Sequence, residues 1–214
     1  TTAPIQAYLD GSASGPTDVV QTNYDNWTNP GSLLNGVFAA GTTAGVGNEI
    51  ADDLHMVAFA GGNLLDNMGL NIANVTGASN LTGGQIAIRF YNFTSGLFIS
   101  GFNANLPVLA IPANSSTRLS FGAGALLGLN ISLVQDMYCS LQWNTATFAG
   151  AGTLADLGFQ QRGPINIGTS ADDLLNVTTS THFNFNGAPL ANTGIFINTP
   201  APASLALLVL GDRL

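Results

Sequence analysis

The residues of this chain that are best suited to metal binding or catalysis by their side-chain type are acidic ones. Glu49, Asp52 and Asp53 lie close together before an apolar segment, and Asp172 and Asp173 form a second pair. Several oxygens from one compact loop could bind calcium, but the chain has no Asp-X-Asp-X-Asp-Gly loop. Acidic residues at a strand end would give the same pattern. We keep Glu49, Asp52 and Asp53 as calcium candidates and expect no other cofactor.

The same carboxylates could also be paired for hydrolysis of a glycosidic bond. That reaction needs two placed carboxyl groups, and Glu49 could pair with Asp52 or Asp53. His55 and His182 are the only histidines that could act as bases. No Gly-X-Ser-X-Gly motif is present. Because nothing separates these residues from ordinary strand residues, we expect no enzymatic activity and assign no catalytic residue.

Cys139 is the only cysteine of the chain. In a strand it would share one face with Met137, Leu141 and Trp143, because side chains alternate between faces. This apolar setting favours a buried, inert thiol over a nucleophile.

Asparagine recurs in a pattern that can accept glycans in exported proteins. Seven Asn-X-Ser/Thr sequons begin at Asn26, Asn74, Asn80, Asn92, Asn114, Asn130 and Asn176. With 22 Asn and 34 Ser plus Thr residues in the chain, chance alone gives about half that number. The excess predicts glycosylation. The alternative is that these asparagines favour turns and carry no sugar, and no site has the acidic residue two positions upstream that some bacterial systems require.

The elements that must position these residues are β-strands. Apolar and polar residues alternate, and turn residues interrupt the alternation about every ten positions, which is typical of a sandwich or barrel. The predicted strands contain Ile5–Leu9, Leu54–Phe59, Met68–Ile72, Leu119–Phe121, Leu129–Leu133, Met137–Trp143, Phe183–Phe185 and Ile195–Ile197. Residues 17–49 remain ambiguous, and residues 122–128 could form a short helical turn.

The clearest predicted element is a hairpin. Ile86, Ile88 and Phe90 alternate with polar and aromatic residues, and the chain turns at residues 92–96 before a second alternating segment at residues 97–102. We expect this hairpin near the middle of a sheet, because both of its faces carry bulky side chains.

Composition narrows the class of protein. The 214 residues suit one β-rich domain. Only 7% of residues are charged, no lysine is present and the net charge is −8. A nucleic acid or an anionic membrane needs basic patches on its partner, so neither is an expected partner. A weakly charged surface of Asn, Thr, Ser and Gly suits an exported protein.

The last residues differ from the rest of the chain. Pro200 and Pro202 precede the apolar segment 203–210, which is far shorter than the ~20 residues of a membrane-spanning helix. We therefore divide the chain into a domain of residues 1–198 and an arm of residues 199–214, and expect no stable membrane anchor. The arm could be a processed sorting signal, a last core strand, or a strand donated to another copy through Leu205, Leu207 and Val209. Strand Ile5–Leu9 could be donated in the same way.

Residues 200–208, with the sequence Pro-Ala-Pro-Ala-Ser-Leu-Ala-Leu-Leu, resemble the C-terminal sorting signal of PEP-CTERM proteins, which are exported bacterial proteins. That signal continues as an apolar helix and a basic cluster. Here Ala201 stands in place of its Glu, and the chain ends Asp-Arg-Leu. Segments 50–54, 60–66, 88–91 and 194–197 also resemble all-β members of the family. The resemblance implies export and a surface or biofilm setting, without a particular chemistry.

Together these patterns predict an all-β, antiparallel, jelly-roll-like β-sandwich with an extended C-terminal arm. The expected function is that of a glycosylated structural subunit of an extracellular filament or biofilm matrix, whose partners are copies of itself joined head-to-tail by strand exchange. The alternative is a secreted carbohydrate-binding or adhesive module, in which Tyr24, Trp27 and Tyr91 would stack on sugars.

Overall fold

The fold is built almost entirely from β-strands. The computed structural model describes residues 4–9, 20–26, 33–39, 47–77, 79–106, 111–121, 126–162, 165–171, 173–184 and 192–201. The strands are β1 (Ile5–Leu9), β2 (Val20–Asp25), β3 (Leu33–Ala39), β4 (Ile50–His55), β5 (Asn67–Asn74), β6 (Leu81–Asn92), β7 (Phe98–Asn105), β8 (Ser115–Phe121), β9 (Asp136–Phe148), β10 (Leu157–Arg162), β11 (Asp173–Asn176), β12 (Thr181–Asn184), β13 (Asn192–Thr193) and β14 (Ile195–Pro200). Helical structure in these ranges is limited to 3₁₀ turns at Leu127–Leu129 and Leu154–Asp156.

The strands form two packed sheets. Sheet A has the order β12-β11-β4-β9-β6-β7-β1. In sheet B, β1 pairs with β8 and β8 with β5, whose other edge pairs with β14 and then with β10. Strand β2 borders β14, and β3 and β13 border β10. Strand β1 joins the two sheets, because it runs parallel to β7 and antiparallel to β8. The predicted antiparallel β-sandwich is confirmed.

The core lies between the sheets and contains their inward-facing apolar side chains. Trp143 of β9 stacks on Phe159 of β10 with ring centroids 6.0 Å apart, and Phe102 of β7 meets Phe121 of β8 edge-on at 5.7 Å. Phe90 is fully buried. Burying one such side chain contributes about 1.5–3 kcal/mol to folding. These contacts across the interior hold the sheets together.

The predicted hairpin is confirmed as β6 and β7, and it lies inside sheet A. At its turn, the side-chain oxygen of Asn92 accepts hydrogen bonds from the backbone N–H and the hydroxyl of Ser95, at 2.8 and 3.0 Å. Gly96 follows with a φ of 66°, in the left-handed region that favours glycine. Asn92 and Gly96 therefore form the turn, as their residue types predict.

Two predicted strands differ from the structure. Strand β4 begins at Ile50 instead of Leu54, because its two aspartates are buried in hydrogen bonds and continue the strand. Residues 129–133, which were predicted as a strand, form a 3₁₀ turn followed by an isolated bridge at Ser132. Asn130 has a φ of 51°, and a left-handed residue interrupts regular alternation.

Strand β14 carries the chain to the start of the predicted arm. It lies between β2 and β5 and remains paired with β2 through Pro200, two residues beyond the predicted boundary at residue 198. Thr199 is fully buried and donates a hydrogen bond of 2.8 Å to the side-chain oxygen of Asn23. The first two residues assigned to the arm therefore belong to sheet B.

Candidate functional site

The outer face of sheet A is a continuous hydrogen-bonded polar surface. Because strands alternate, the same pattern that sends apolar side chains inward sends polar ones outward. Arg89 of β6 donates to Gln142 of β9 at 2.9 Å, and Gln142 donates to the backbone carbonyl of Gly47 at 2.7 Å. Farther along, Gln85 donates to Asn105 and accepts from Asn144, each at 3.0 Å. We call this surface the polar face.

Glu49 belongs to the polar face. Its Oε1 accepts hydrogen bonds from the hydroxyls of Tyr91, at 2.8 Å, and Ser140, while Oε2 lies 3.6 Å from Nη1 of Arg89. Burial and then the hydrogen bond to Glu49 raise the pKa of Tyr91 to about 12, so its hydroxyl stays protonated and donates at neutral pH. Glu49 is therefore occupied by a polar network.

The hairpin end of sheet A carries exposed aromatic and apolar side chains. Phe98 is 59% exposed and lies edge-on to Tyr91, with ring centroids 5.7 Å apart. The ring centroids of Phe93 and Tyr138 are 5.1 Å apart. Leu97, which directly precedes Phe98, is 69% exposed. We call Tyr91, Phe93, Leu97, Phe98 and Tyr138 the aromatic end. It continues the polar face and provides rings that a planar apolar ligand surface could contact.

The two aspartates of β4 point to opposite faces of sheet A. Asp52 pairs with Cys139 of β9 and faces the interior, whereas Asp53 pairs with Tyr138 and faces outward. Both carboxyls are buried, with 1% and 3% exposure, and both lie within hydrogen-bond distance of Ser170 Oγ in the neighbouring segment, at 2.9 and 2.8 Å. Burial raises the pKa of Asp52 well above its ordinary value.

The three calcium candidates are therefore not one group. Asp52 and Asp53 share Ser170, whereas Glu49 lies with Arg89 and Tyr91 on the polar face. Among the residues that the structure describes, no set of three or more His, Cys, Asp or Glu side chains is placed to hold a metal ion. Asp172 lies outside the described residues. Glu49 and Asp52 lie in different hydrogen-bond networks, so these two carboxylates do not form a catalytic pair.

The two histidines each contact aspartate. His55 lies between two carboxylates, with Nε2 3.0 Å from Asp53 Oδ2 and Nδ1 2.8 Å from Asp136 Oδ1. Only the doubly protonated ring can donate to both. His182 lies 3.3 Å from Asp173 on the exposed strand pair β11–β12. In the part of the chain that the structure describes, neither histidine forms a hydrogen bond with a hydroxyl nucleophile, and His55 instead bridges two acidic side chains.

Three sequon asparagines lie in the interior. Asn74 is fully buried and its Nδ2 donates to the carbonyls of Ser79, Ile111 and Pro112 at 2.9–3.2 Å. Asn26 is also fully buried, with Nδ2 donating to two backbone carbonyls of β13. Asn176 is 2% exposed. A glycan attached to Nδ2 has no room at these positions in the folded protein.

The other four sequons lie at the surface. Asn80, Asn114 and Asn130 are exposed, and Asn92 is partly exposed at the hairpin turn. Asn114 and Asn130 have left-handed backbone conformations, with φ of 52° and 51°. Such conformations occur in turns that can project a bulky group. Glycosylation remains compatible with the fold at these four positions.

The other residues singled out in the sequence are either buried or lie outside the described residues. Cys139 is fully buried, and burial raises the pKa of its thiol, so an inert core cysteine fits the structure. Tyr24 is fully buried and cannot stack on a sugar. Trp27 and the assembly residues Leu205, Leu207 and Val209 lie outside the described residues. In the described part of the chain, no helix is long and apolar enough to cross a membrane.

The sequence alone did not identify Ser170, Asn192 or Phe98 as candidate functional residues. Ser170 reaches the β4 aspartates from a segment more than a hundred residues away, and Asn192 contacts Ser170. No local pattern marks either residue. Phe98 alternates correctly within its strand, but its exposure depends on which neighbours cover it. No protein-family model, curated protein or solved structure matches this chain.

Proposed function

We propose that the chain is a structural subunit of an extracellular filament or biofilm matrix at the cell surface. Copies join head-to-tail when the part of the arm that follows Pro200 in one copy adds as a strand to the next. Leu205, Leu207 and Val209 are the anchors, because alternate residues of an added strand enter pockets on one side. Contacts of this kind do not close on themselves and build fibres. The proposal includes neither nucleic acid nor a stable membrane anchor as partner.

The observation that carries the proposal is the path of β14. This strand is held between β2 and β5 and runs to Pro200, after which the apolar segment 203–210 follows in the sequence. A donated strand must be fixed firmly to its own subunit to transmit force. The pairing of β14 on both edges supplies such an attachment at the base of the arm.

Strand β1 supports exchange as the alternative donated element. It pairs with β7 in sheet A and β8 in sheet B, and Ala7 is fully buried in the core. A copy that received β1 from a neighbour would complete an edge of both sheets at once.

The surface sequons suit the same setting. Asn80, Asn92, Asn114 and Asn130 are exposed or partly exposed, so glycans there would project from the subunit without entering the core. Glycans would add hydrophilic bulk to a surface that has few charges.

Electron microscopy of wild type and two matched arm variants tests the filament proposal. Leu205→Ser, Leu207→Ser and Val209→Ser together should abolish filaments, because the anchors become polar. Ala206→Ser, Leu208→Ser and Leu210→Ser change the opposite face of the same strand and should leave filaments in place. Monomers in the wild type, or equal effects of the two variants, would contradict the proposal.

A second candidate function is carbohydrate binding at the aromatic end. The exposed ring of Phe98, packed against Tyr91 beside the polar face, favours it, because sugars present apolar faces to rings and hydroxyls to amides. Phe98→Ala should abolish saturable binding on a glycan array. Val75→Ala, which removes an exposed apolar side chain outside the aromatic end, should not. Absence of binding by the wild-type monomer would leave this function without support.

A further inference from the structure

Ser170 lies at the centre of a group of oxygen atoms. Its Oγ is 2.9 Å from Asp52 Oδ1, 2.8 Å from Asp53 Oδ1, 3.1 Å from Asn192 Oδ1 and 3.1 Å from the carbonyl oxygen of Ala171. A hydroxyl carries one proton and can donate to one acceptor at a time. Four acceptors around one donor require further positive charge or protons.

The negative charge of this oxygen group also calls for a cation or a proton. Asp52 and Asp53 are both buried and face the same hydroxyl. Asp53 also accepts from the backbone N–H of Ala171 and lies 3.0 Å from His55 Nε2. Asp52 accepts from the backbone N–H of Thr193. Two buried carboxylates at one hydroxyl are costly unless a cation or a proton offsets their charge.

Tyr24 of β2 is a second, independent pointer to a ligand. It is fully buried, and among the described residues its hydroxyl has no hydrogen-bond partner. Its pKa is raised, first by burial and then by the charges of Asp52 and Asp53, whereas the nearby Ser170 hydroxyl lowers it; the Tyr24 hydroxyl therefore lies beside the Ser170 group. An unpaired buried hydroxyl is costly, and this one is directed at the oxygen group from the opposite sheet.

We propose that these residues form a calcium site. The ligands are side-chain oxygens of Asp52, Asp53, Asn192 and Ser170 and the carbonyl oxygen of Ala171. Carboxylate, amide, hydroxyl and carbonyl oxygens are the donors that this hard cation prefers, and ligand oxygens about 2.4 Å from one calcium ion lie about 3 Å from each other. The separations around Ser170 match that spacing.

The properties of the site suit an extracellular ion. Only two of its ligands carry charge, and sites of extracellular modules bind calcium with Kd of about 10⁻⁴–10⁻³ M. Solvent reaches the site through Ser170, which is partly exposed, and Ala171, which is exposed. Magnesium is a poorer fit, because it demands shorter bonds and near-ideal octahedral geometry.

Thermal unfolding of the full chain tests the site. After treatment with a chelator, the Tm at about pH 8 should rise by about 3–6 °C when calcium reaches ten times its Kd. Equal concentrations of magnesium chloride should have a smaller effect. Isothermal titration should give one calcium ion per chain.

Two ligand variants and one control variant test which acidic residues bind calcium. Asp52→Asn and Asp53→Asn should lose the calcium-dependent rise in Tm. Glu49→Gln, which changes the partly buried acid on the polar face, should keep it. A wild-type Tm that does not change when calcium is added overturns the proposal. Loss of the response in Glu49→Gln alone also overturns it. The site does not depend on filament formation and can be tested on monomers.

Discussion

At the scale of single residues, the two neighbouring aspartates of β4 have opposite surroundings. Asp52 faces Cys139 and Tyr24 in the interior, whereas Asp53 faces His55 at the outer surface. Adjacent residues of a strand point to opposite faces, so only a group at the strand edge can reach both. Ser170 occupies that edge, and this explains why both carboxyls are buried.

The raised pKa of Asp52 leads to a prediction about pH. Because the folded-state pKa lies above the unfolded value, the contribution of Asp52 to stability is fully present below the unfolded pKa and is lost as pH rises through the folded pKa. In calcium-free buffer, the Tm of the wild type should fall over that range. Asp52→Asn keeps a neutral side chain that can donate to Ser170, so it should remove this fall.

Differential scanning calorimetry across a pH series, with chelator present, measures the effect. Asp173→Asn, at a partly exposed carboxylate of β11, is the control and should not flatten the profile. Parallel profiles for the wild type and Asp52→Asn would contradict a neutral Asp52 in the folded protein.

Asn74 gives a second prediction at this scale. Its side chain satisfies the carbonyls of Ser79, Ile111 and Pro112 and accepts from the N–H of Thr76. Asn74→Ala should lower the free energy of unfolding by about 1–3 kcal/mol, because the buried N–H of Thr76 loses its acceptor and each of the three carbonyls loses one of its donors.

Urea denaturation of protein made in a host without glycosylation isolates that effect from any glycan. Asn80→Ala changes a neighbouring sequon whose asparagine is exposed, and it should cost no more than about 0.5 kcal/mol. Equal losses in the two variants would show that Asn74 has no special structural role.

At the scale of elements, the end of β14 depends on close approach to Gly61. A Cβ at Gly61 would lie 2.3 Å from the carbonyl carbon of Ala201 and from the carbonyl oxygen of Pro200. Both contacts are with backbone, so neither partner can move aside without displacing the strand end. The absence of a side chain at Gly61 therefore sets where the chain leaves sheet B.

Gly61→Ala should lower the free energy of unfolding by about 1–3 kcal/mol, because the added methyl group overpacks the strand end. Gly77→Ala is the matched control, since a Cβ there meets no atom within 4 Å. Urea midpoints of the two variants measure the difference. Indistinguishable midpoints would mean that the chain end moves aside at no cost.

At the scale of the whole molecule, the small number of charges shapes how copies can associate. Only 7% of residues are charged and the net charge is −8. A polymer joined by backbone hydrogen bonds and apolar anchors depends little on attraction between charges. Added salt also screens the mutual repulsion of the negatively charged subunits.

Filaments of the proposed kind should therefore persist when NaCl is raised from about 50 mM to about 500 mM, because the screened interactions are not the ones that join them. Sedimentation followed by electron microscopy, with chelator present throughout, measures the assembled fraction. Dissolution at high salt would indicate an interface dominated by ion pairs and contradict strand exchange.

Local alternation in the sequence determined the fold class. Alternation of apolar and polar residues predicted the hairpin β6–β7 and strands such as β1 and β5, because the period of side chains along a strand is a local property. It also placed Cys139 in the core. The same local rule failed at Asn130, where a left-handed residue ends the alternation.

Only the tertiary structure decided which polar residues are buried and which meet. Asn74 and Asn80 are both sequon asparagines, yet one is enclosed by three carbonyls and the other is exposed. The oxygen group around Ser170 joins residues from β4, β13 and the segment between β10 and β11. Such contacts depend on strand order and on the packing of two sheets, and these arise from long-range pairing that no local pattern encodes.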